Sequence, residues 1–535
     1  MERKKGKDVS LERLQVISDV DKEVDEKYIK SYIQKPVLAV TSTKILQDQY
    51  QQQLERSNQY FVNFKGKTNY SCNLKPLMQI TAENCYRNTP FYYKEVEENE
   101  QIKLEYEETC AQCQFNYIKV HKNSCNFLLT NYSRYFIDAL YVRTHGYGWN
   151  KRTVTICDEA HLMNDNFVSH YTIYFAKDRY DMIMRDVKAD FGYDRWQWIE
   201  KDLNFIMKGI QNKYISKNNY TLYTDILYNN YKKISDYYTK LSKWSNGNQG
   251  QYFKFKSMAD KYFCLGCNID DFNRYKNDYI LDMNYNTGIF QVKPLFISGL
   301  FKEKVNISDC VLMMSATLTE EIIRTQFKFN PLESIFINGK NTFNRSDKKI
   351  IISNNTIKLK FNNCYLDETN QQLAKSIKNI LIKHKGESGI ILVNSFKHAN
   401  VLAKYLTDTT HQLIVHEQGN PISEHLNQFV NSIKPSILLS PSIFEGIDLY
   451  GNRSKFNILV KAPFPSLGDK RIFYISRKHQ RMYKLMTLEK MIQGMGRSTR
   501  FKGDQSTSYL LDQNLVKLLN HKSNIWKDQF EISLN

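Results

Sequence analysis

Four short segments carry side chains able to handle a phosphorylated ligand. "DEAH" at 158–161 directly follows the apolar run "TVTIC". An acid at the end of a buried parallel strand points into the crevice where open α/β sheets bind ligands. Asp158 suits a Mg²⁺ ion, Glu159 suits polarising an attacking water, and His161 suits passing the state of the site to neighbouring loops. The plainer reading of the same letters is a helix-capping acid pair, because Asp is a good N-cap. "SAT" at 315–317 follows another strand-like run and offers the hydroxyls of Ser315 and Thr317 to the acidic loop and to the linker between domains. "QGMGRSTR" at 493–500 sets Gln493 ahead of Arg497 and Arg500, which are three apart and on one helical face. Two guanidiniums so placed can neutralise a γ-phosphate as an arginine finger acting in cis. A solvated basic helix is the simpler account, but it explains neither Gln493 nor the two glycines. "FEGIDLYG" at 444–451 puts Gly446 and Asp448 in a loop after a strand, where they can touch a ribose, phosphates or a nucleic-acid backbone.

The cysteines suggest a second chemistry. Five of the ten fall within residues 62–127. Cys72, Cys85, Cys110 and Cys113 form a four-thiolate set that suits either a [4Fe–4S] cluster or zinc, and "CAQC" at 110–113 does not choose between them. Cys125 is a fifth candidate, but it opens the apolar run "CNFLLTNY", where a small buried residue is expected. Cys264 and Cys267 form another C-x-x-C without a companion pair and read as plain thiols, and Cys157 reads as core.

The elements that must position these groups follow from apolar patterning. The run opening 35–50, the runs before 158 and 315, and those within 388–406, 436–449 and 456–465 are short, rich in Val, Ile and Leu, and followed by polar loops and helical patterns. That is the pattern of buried parallel sheets, and the grouping implies two α/β domains. Residues 62–127 show little strand pattern, and about 170–295 read as mostly helical; both resemble insertions into the first domain. The net charge of +19 suits a polyanion, and 36 Tyr with 30 Phe offer stacking faces for unpaired bases. The chain has 535 residues but no apolar run of about 20, so neither a membrane span nor a secretory signal is expected. The expected location is intracellular, cytoplasm or nucleus.

In the order acid box, SAT, glycine–aspartate loop, Q-x-x-G-R-x-x-R, these motifs resemble the superfamily 2 helicases. The cysteine insertion narrows the resemblance to the XPD/DinG family of iron–sulfur DNA helicases, over residues 35 to 515. In that family "TSTKILQDQ" (41–49) resembles the segment that contacts single-stranded DNA, which implies roles for Thr41 and Thr43. "LLTNYSRYF" (128–136) resembles the T-N-Y/H element, which implies Asn131 and Tyr132. "KGKTNYSC" (65–72) resembles the element leading into the first cluster ligand, Cys72, and the resemblance chooses the [4Fe–4S] cluster over zinc.

The resemblance implies two RecA-like parallel-sheet domains: 35–170 with 296–345, and 346–535. The Fe–S insertion occupies 62–127, a helical arch-like insertion occupies 171–295, and a charged segment occupies 1–34. It further implies ATP, Mg²⁺, translocation 5′-to-3′ on single-stranded DNA, and unwinding of fork or duplex DNA. The competing reading is a helicase-fold protein that binds single strands without turnover; a zinc-containing RNA helicase is a third.

One departure stands out. No G-x-x-x-x-G-K-[ST] phosphate loop precedes "TSTKILQDQ", and the GKT at 66–68 has Phe61 where that loop needs glycine. Residues 1–34 read instead as a charged helix with Leu11, Leu14, Ile17, Val20 and Val24 on one stripe. Three arrangements remain open: a fragment whose start was lost, a separate polypeptide supplying the loop, or a degenerate helicase that binds without hydrolysing. The isolated chain is expected to be a weak ATPase at best. The retained acids, arginines and SAT favour a fragment or split enzyme.

Overall fold

Val37–Thr41 (β1) is the centre of a five-stranded sheet with Phe61–Phe64 (β2), Phe127–Asn131 (β5), Arg152–Cys157 (β6) and Ser308–Met313 (β10). The computed structural model describes residues 36–534 except 43, 57–59, 67–68, 72–92, 99–100, 107–113, 123–124, 138–151, 246–248, 306–307, 330–331, 333, 340–343, 408–409, 445–448, 450, 500–502 and 523. The strand order is β10-β6-β1-β5-β2, with every pair parallel. Leu38, Val40, Leu128, Leu129, Phe64 and Cys157 are fully buried, each apolar side chain worth roughly 1.5–3 kcal/mol on burial. From β1 the chain crosses toward β2, whereas from β6 it crosses toward β10. Connections leaving two adjacent strands in opposite directions open a crevice at their carboxyl ends. Thr41 and Asp158 stand at those ends.

The chain divides into two units. One holds this sheet, taking residues up to Asp158 with Asn248–Phe253 and Lys304–Met313; the other holds the rest.

Two further strands, Tyr93–Glu98 (β3) and Gln101–Tyr106 (β4), form an antiparallel hairpin inside the cysteine-rich segment. The expectation of little strand pattern there is corrected. Their charged sequences, YKEVEE and QIKLEY, mask the alternation.

Residues 171–295, which apart from Asn248–Phe253 belong to the second unit, build a layer of their own. Helices Lys177–Asp190, Tyr193–Gln211, Tyr220–Trp244 and Gln249–Arg274 accompany a small antiparallel sheet of Ile173–Phe175 (β7), Tyr279–Asn284 (β8) and Ile289–Pro294 (β9). Their core includes Leu203, Ile206, Leu227, Ile234, Tyr262 and Phe290. Asp186 ties the helices, accepting from Lys261 Nζ at 2.7 Å and Tyr262 Oη at 2.8 Å.

The same unit contains a seven-stranded, all-parallel sheet. Its strands are Lys348–Ile357 (β11), Gly389–Leu392 (β12), Gln412–Val415 (β13), Ser436–Ser440 (β14), Phe456–Leu459 (β15), Ser506–Asp512 (β16) and Glu531–Leu534 (β17), ordered β13-β14-β12-β15-β16-β11-β17. Alternate residues feed opposite cores: Ile390, Leu392, Leu438, Leu459 and Leu510 lie in one, and Ile391, Ile437, Leu439, Ile458 and Leu511 in the other. A sheet covered on both faces requires such uninterrupted apolar strands. Among the described residues, no helix is long and apolar enough to cross a membrane.

Candidate functional site

In the first unit the strand ends assemble a polar network. Thr41 is 1% exposed and registers with Asn131 on the neighbouring strand. Asn131 Nδ2 donates to Gln47 Oε1 at 3.2 Å. Gln47 Nε2 donates to Asn63 Oδ1 at 2.6 Å and to the Phe64 carbonyl at 3.2 Å. Gln47 lies on the helix Lys44–Arg56, so this network fixes that helix against β2 and β5. Tyr50, one turn further, donates to Asp158 Oδ2 at 2.9 Å. Tyr132 is fully buried, with its hydroxyl donating to the Asp158 carbonyl at 2.8 Å. Thr43 lies outside the described residues.

The cysteines divide by environment. Cys72, Cys85, Cys110 and Cys113 lie outside the described residues, but their flanks do not. Tyr70 is buried, takes the Lys65 amide at 2.6 Å, and sits 5.3 Å from the Phe115 ring. Gly66 and Asn69 form a turn, with the Asn69 amide and Nδ2 both donating to the Gly66 carbonyl. Cys125 is 1% exposed, and burial pushes its thiol up despite the opposing pull of Arg152. Arg152 is itself buried and donates to the carbonyls of Cys125 and Lys122, fastening this stretch to the start of β6. Burial also pushes the Cys157 thiol far up, as expected of a core residue. Cys264 and Cys267 are half-buried on one helix and form no disulfide. Among the described residues no cluster of His, Cys, Asp and Glu is arranged to hold a metal ion.

In the second unit a continuous polar relay joins segments distant in sequence. Glu159 takes a left-handed backbone, φ 50° and ψ 46°. That conformation costs a non-glycine residue roughly 1–2 kcal/mol. It turns the chain into a short 3₁₀ segment and the helix Met163–Tyr171. His161 Nδ1 lies 3.2 Å from Glu159 Oε2 and 2.8 Å from Ser315 Oγ. Ser315 Oγ accepts from the Thr317 amide at 3.3 Å. Gln493 Nε2 donates to Thr317 Oγ1 at 2.7 Å, and Arg497 Nη2 donates to Gln493 Oε1 at 3.0 Å. Arg497, 2% exposed, also donates from Nε to the Phe444 carbonyl at 2.9 Å, at the head of the 444–451 loop. Gly446, Asp448 and Arg500 lie outside the described residues.

The expectation of a helical face is corrected for Arg497, while Arg500 lies outside the described residues. The helix Gln480–Met495 ends before Arg497, which sits in a 3₁₀ turn over Gly496–Ser498. Buried polar groups pull the chain out of the helix: Asn457 Nδ2 donates to the Met495 carbonyl at 3.1 Å, and Ser498 Oγ bonds Asn457 and Ser454. Thr499 then turns extended. Sequence reasoning also missed a second bolt, Thr319 Oγ1 donating to Glu489 Oε1 at 3.1 Å. Its signal was present as two matched spacings. Thr317 and Thr319 are two apart, in the turn after β10 and at the cap of the helix that follows, and Glu489 and Gln493 are four apart on a helix.

Residues 377–528 match the helicase C-terminal domain family. The fold is similar to that of an XPD helicase, with 13% identity, a TM-score of 0.58, and coverage of 94% of this chain and 92% of the other. It is likewise similar to Xpd4 of S. tokodaii, with 12% identity, a TM-score of 0.55 and coverage of 94% and 92%. No curated protein matches the sequence. Residues 377–528 thus match a helicase C-terminal domain, and the fold of the chain is similar to that of XPD helicases.

Proposed function

We propose that the protein is an ATP-dependent helicase that moves 5′-to-3′ along single-stranded DNA and unwinds duplex at forks. The observation that carries this reading is the relay Glu159–His161–Ser315–Thr317–Gln493–Arg497–Phe444, which joins four motif segments in one unit. A structural helix cap needs no such chain. A route from a hydrolytic acid to the loop at 444–451 is what coupling hydrolysis to strand movement requires.

In this reading Asp158 holds Mg²⁺, and Glu159 orients and polarises the attacking water. Bound Mg²⁺ with ATP supplies the transferable phosphoryl group and neutralises its charge. His161 and Ser315 fix the Glu159 carboxylate, and Gln493 and Arg497 transmit its state to the loop carrying Gly446 and Asp448. Arg497 is committed to Gln493 and Phe444, so the finger role falls on Arg500. Thr43 and Asn131 line the strand path, and the buried Thr41 and Tyr132 support it.

Cys72, Cys85, Cys110 and Cys113 would hold a [4Fe–4S] cluster. Four thiolates fit that group, and the flanks support a closed module: Tyr70, two residues before Cys72, packs on Phe115, two residues after Cys113. Iron and sulfide analysis of anaerobically purified protein tests the cluster; zinc without iron removes it. The activity is tested by ATP turnover with and without single-stranded DNA. Stimulated turnover that Glu159→Gln abolishes is the expected result. Oligonucleotide binding with no turnover replaces the helicase by a binding protein on the same scaffold.

A further inference from the structure

We propose that Tyr50 is a positioning residue that links occupancy of the strand path to the Asp158 carboxylate. This rests on the helicase reading above. Tyr50 immediately follows the segment 41–49, and its hydroxyl reaches Asp158 Oδ2 across 108 residues of sequence at 2.9 Å. Three residues earlier on the same helix face, fully buried Gln47 bonds Asn131, Asn63 and the Phe64 carbonyl. Asn63 Nδ2 donates in turn to Gln51 Oε1 at 2.5 Å, so the helix is gripped on both sides of Tyr50.

The second hold on Asp158 comes from the same neighbourhood. Tyr132, adjacent to Asn131, donates to the Asp158 carbonyl at 2.8 Å. Asp158 is thus held by two phenols, one on its side chain and one on its backbone. Tyr132 is the immediate sequence neighbour of Asn131, and Tyr50 directly follows the segment 41–49. The Asp158 amide donates to the Val40 carbonyl at 2.9 Å, which places this junction at the end of β1. A strand bound over Thr41 and Asn131 shifts the Gln47 network, and the helix carries the shift to Tyr50. A displacement of under an ångström at 2.9 Å takes the Tyr50 bond past the hydrogen-bonding limit and removes that hold on the Asp158 carboxylate. The buried Gln47 amide, bonded to the half-buried Asn63, makes the helix move as one body rather than fray.

Linkage makes the inference testable without turnover: if the strand changes nucleotide affinity, nucleotide changes strand affinity by the same factor. The affinity of the full chain for fluorescein-labelled oligo(dT) is measured by anisotropy, with and without Mg²⁺ and a non-hydrolysable ATP analogue. The quantity read is the ratio of the two affinities, which a general loss of stability does not move. The wild-type ratio is expected to be about fivefold or more, and Tyr50→Phe is expected to bring it close to one. In the Asp158→Asn background, Tyr50→Phe should add nothing further. A Tyr50→Phe protein that keeps the wild-type ratio overturns the proposal. So does a wild-type protein that binds both ligands with a ratio of one. A wild-type protein that binds neither removes the helicase reading itself, and Tyr50's role with it.

Discussion

Gln493 Nε2 donates to Thr317 Oγ1 at 2.7 Å with both residues buried, and Gln493 Oε1 takes Arg497 Nη2. One amide therefore satisfies a hydroxyl on one side and a guanidinium on the other. Gln493→Leu removes both bonds and should cost about 2–4 kcal/mol in urea unfolding, because buried polar groups lose their partners. Thr317→Val should cost about 1 kcal/mol. The double mutant should fall short of the sum by about 1 kcal/mol, the signature of residues in one network. Strict additivity would show that the two bonds are independent and that the relay carries no coupling.

The two glycines of the same motif should behave oppositely. A Cβ on Gly494 would lie 2.8 Å from the Phe444 ring and 2.9 Å from Leu392 Cδ1, whereas one on Gly496 meets nothing within 4 Å. Gly494 lets the helix lie against the head of the 444–451 loop. Gly494→Ala should destabilise by about 1–3 kcal/mol through overpacking. Gly496→Ala, at φ −77°, should be neutral or stabilise by less than about 1 kcal/mol. Thermal unfolding of the two variants side by side decides it, and equal effects would refute the close-packing account.

This contrast shows what the sequence makes legible. The central strands were readable because sheets covered on both faces force unbroken apolar runs such as GIIL, SILLS and FNIL. The acid box and SAT were readable because a strand feeding directly into polar residues puts them at a sheet's carboxyl edge. Edge strands were not. β17, at the sheet's edge, is EISL, and its neighbour β11 ends in SNNTI, half-solvated sequences that lack a continuous apolar signal. Tyr50 was hidden for a different reason. One tyrosine in a polar helix looks like any other until tertiary packing brings it to Asp158. The helix stop at Met495 was likewise set by Asn457 and Ser454, some 40 residues upstream, and not by local propensity.

His398 should make stability fall on acidification. It is 1% exposed, and both ring nitrogens are buried without a partner among the described residues. Burial, with Lys461 adding to it, lowers its pKa from 6.5 to about 4. Between those values the unfolded chain binds a proton that the folded chain does not, so stability rises with pH across this window. The contribution present above 6.5 is lost as pH falls to about 4, and amounts to about 3 kcal/mol. His398→Phe should flatten the pH dependence of the urea midpoint in that window. An unchanged slope would mean that His398 does not titrate out of register with the unfolded chain.

Lys293 bridges two acids, Asp282 Oδ2 at 2.7 Å on the adjacent strand and Asp469 Oδ2 at 2.8 Å. Asp469 has a second duty as N-cap of the helix Lys470–Lys478, accepting the amides of Arg471 at 2.8 Å and Ile472 at 3.3 Å. Burial alone would raise the Asp469 carboxyl, but the Lys293 ammonium and the two amides hold it below its ordinary value. Its contribution is therefore present above the unfolded carboxylate pKa and lost as pH falls through the folded one. The two duties separate by substitution. Asp469→Asn keeps a capping oxygen and loses only the charge, whereas Asp469→Ala loses both. Asparagine should cost less than alanine by about 1 kcal/mol, the usual worth of a cap. As pH falls through the folded carboxylate pKa, wild type and Asp469→Asn should converge in urea unfolding while Asp469→Ala stays lower. If asparagine and alanine are equally damaging at neutral pH, the residue acts through Lys293 alone, and the β8–β9 hairpin rather than the helix terminus depends on it.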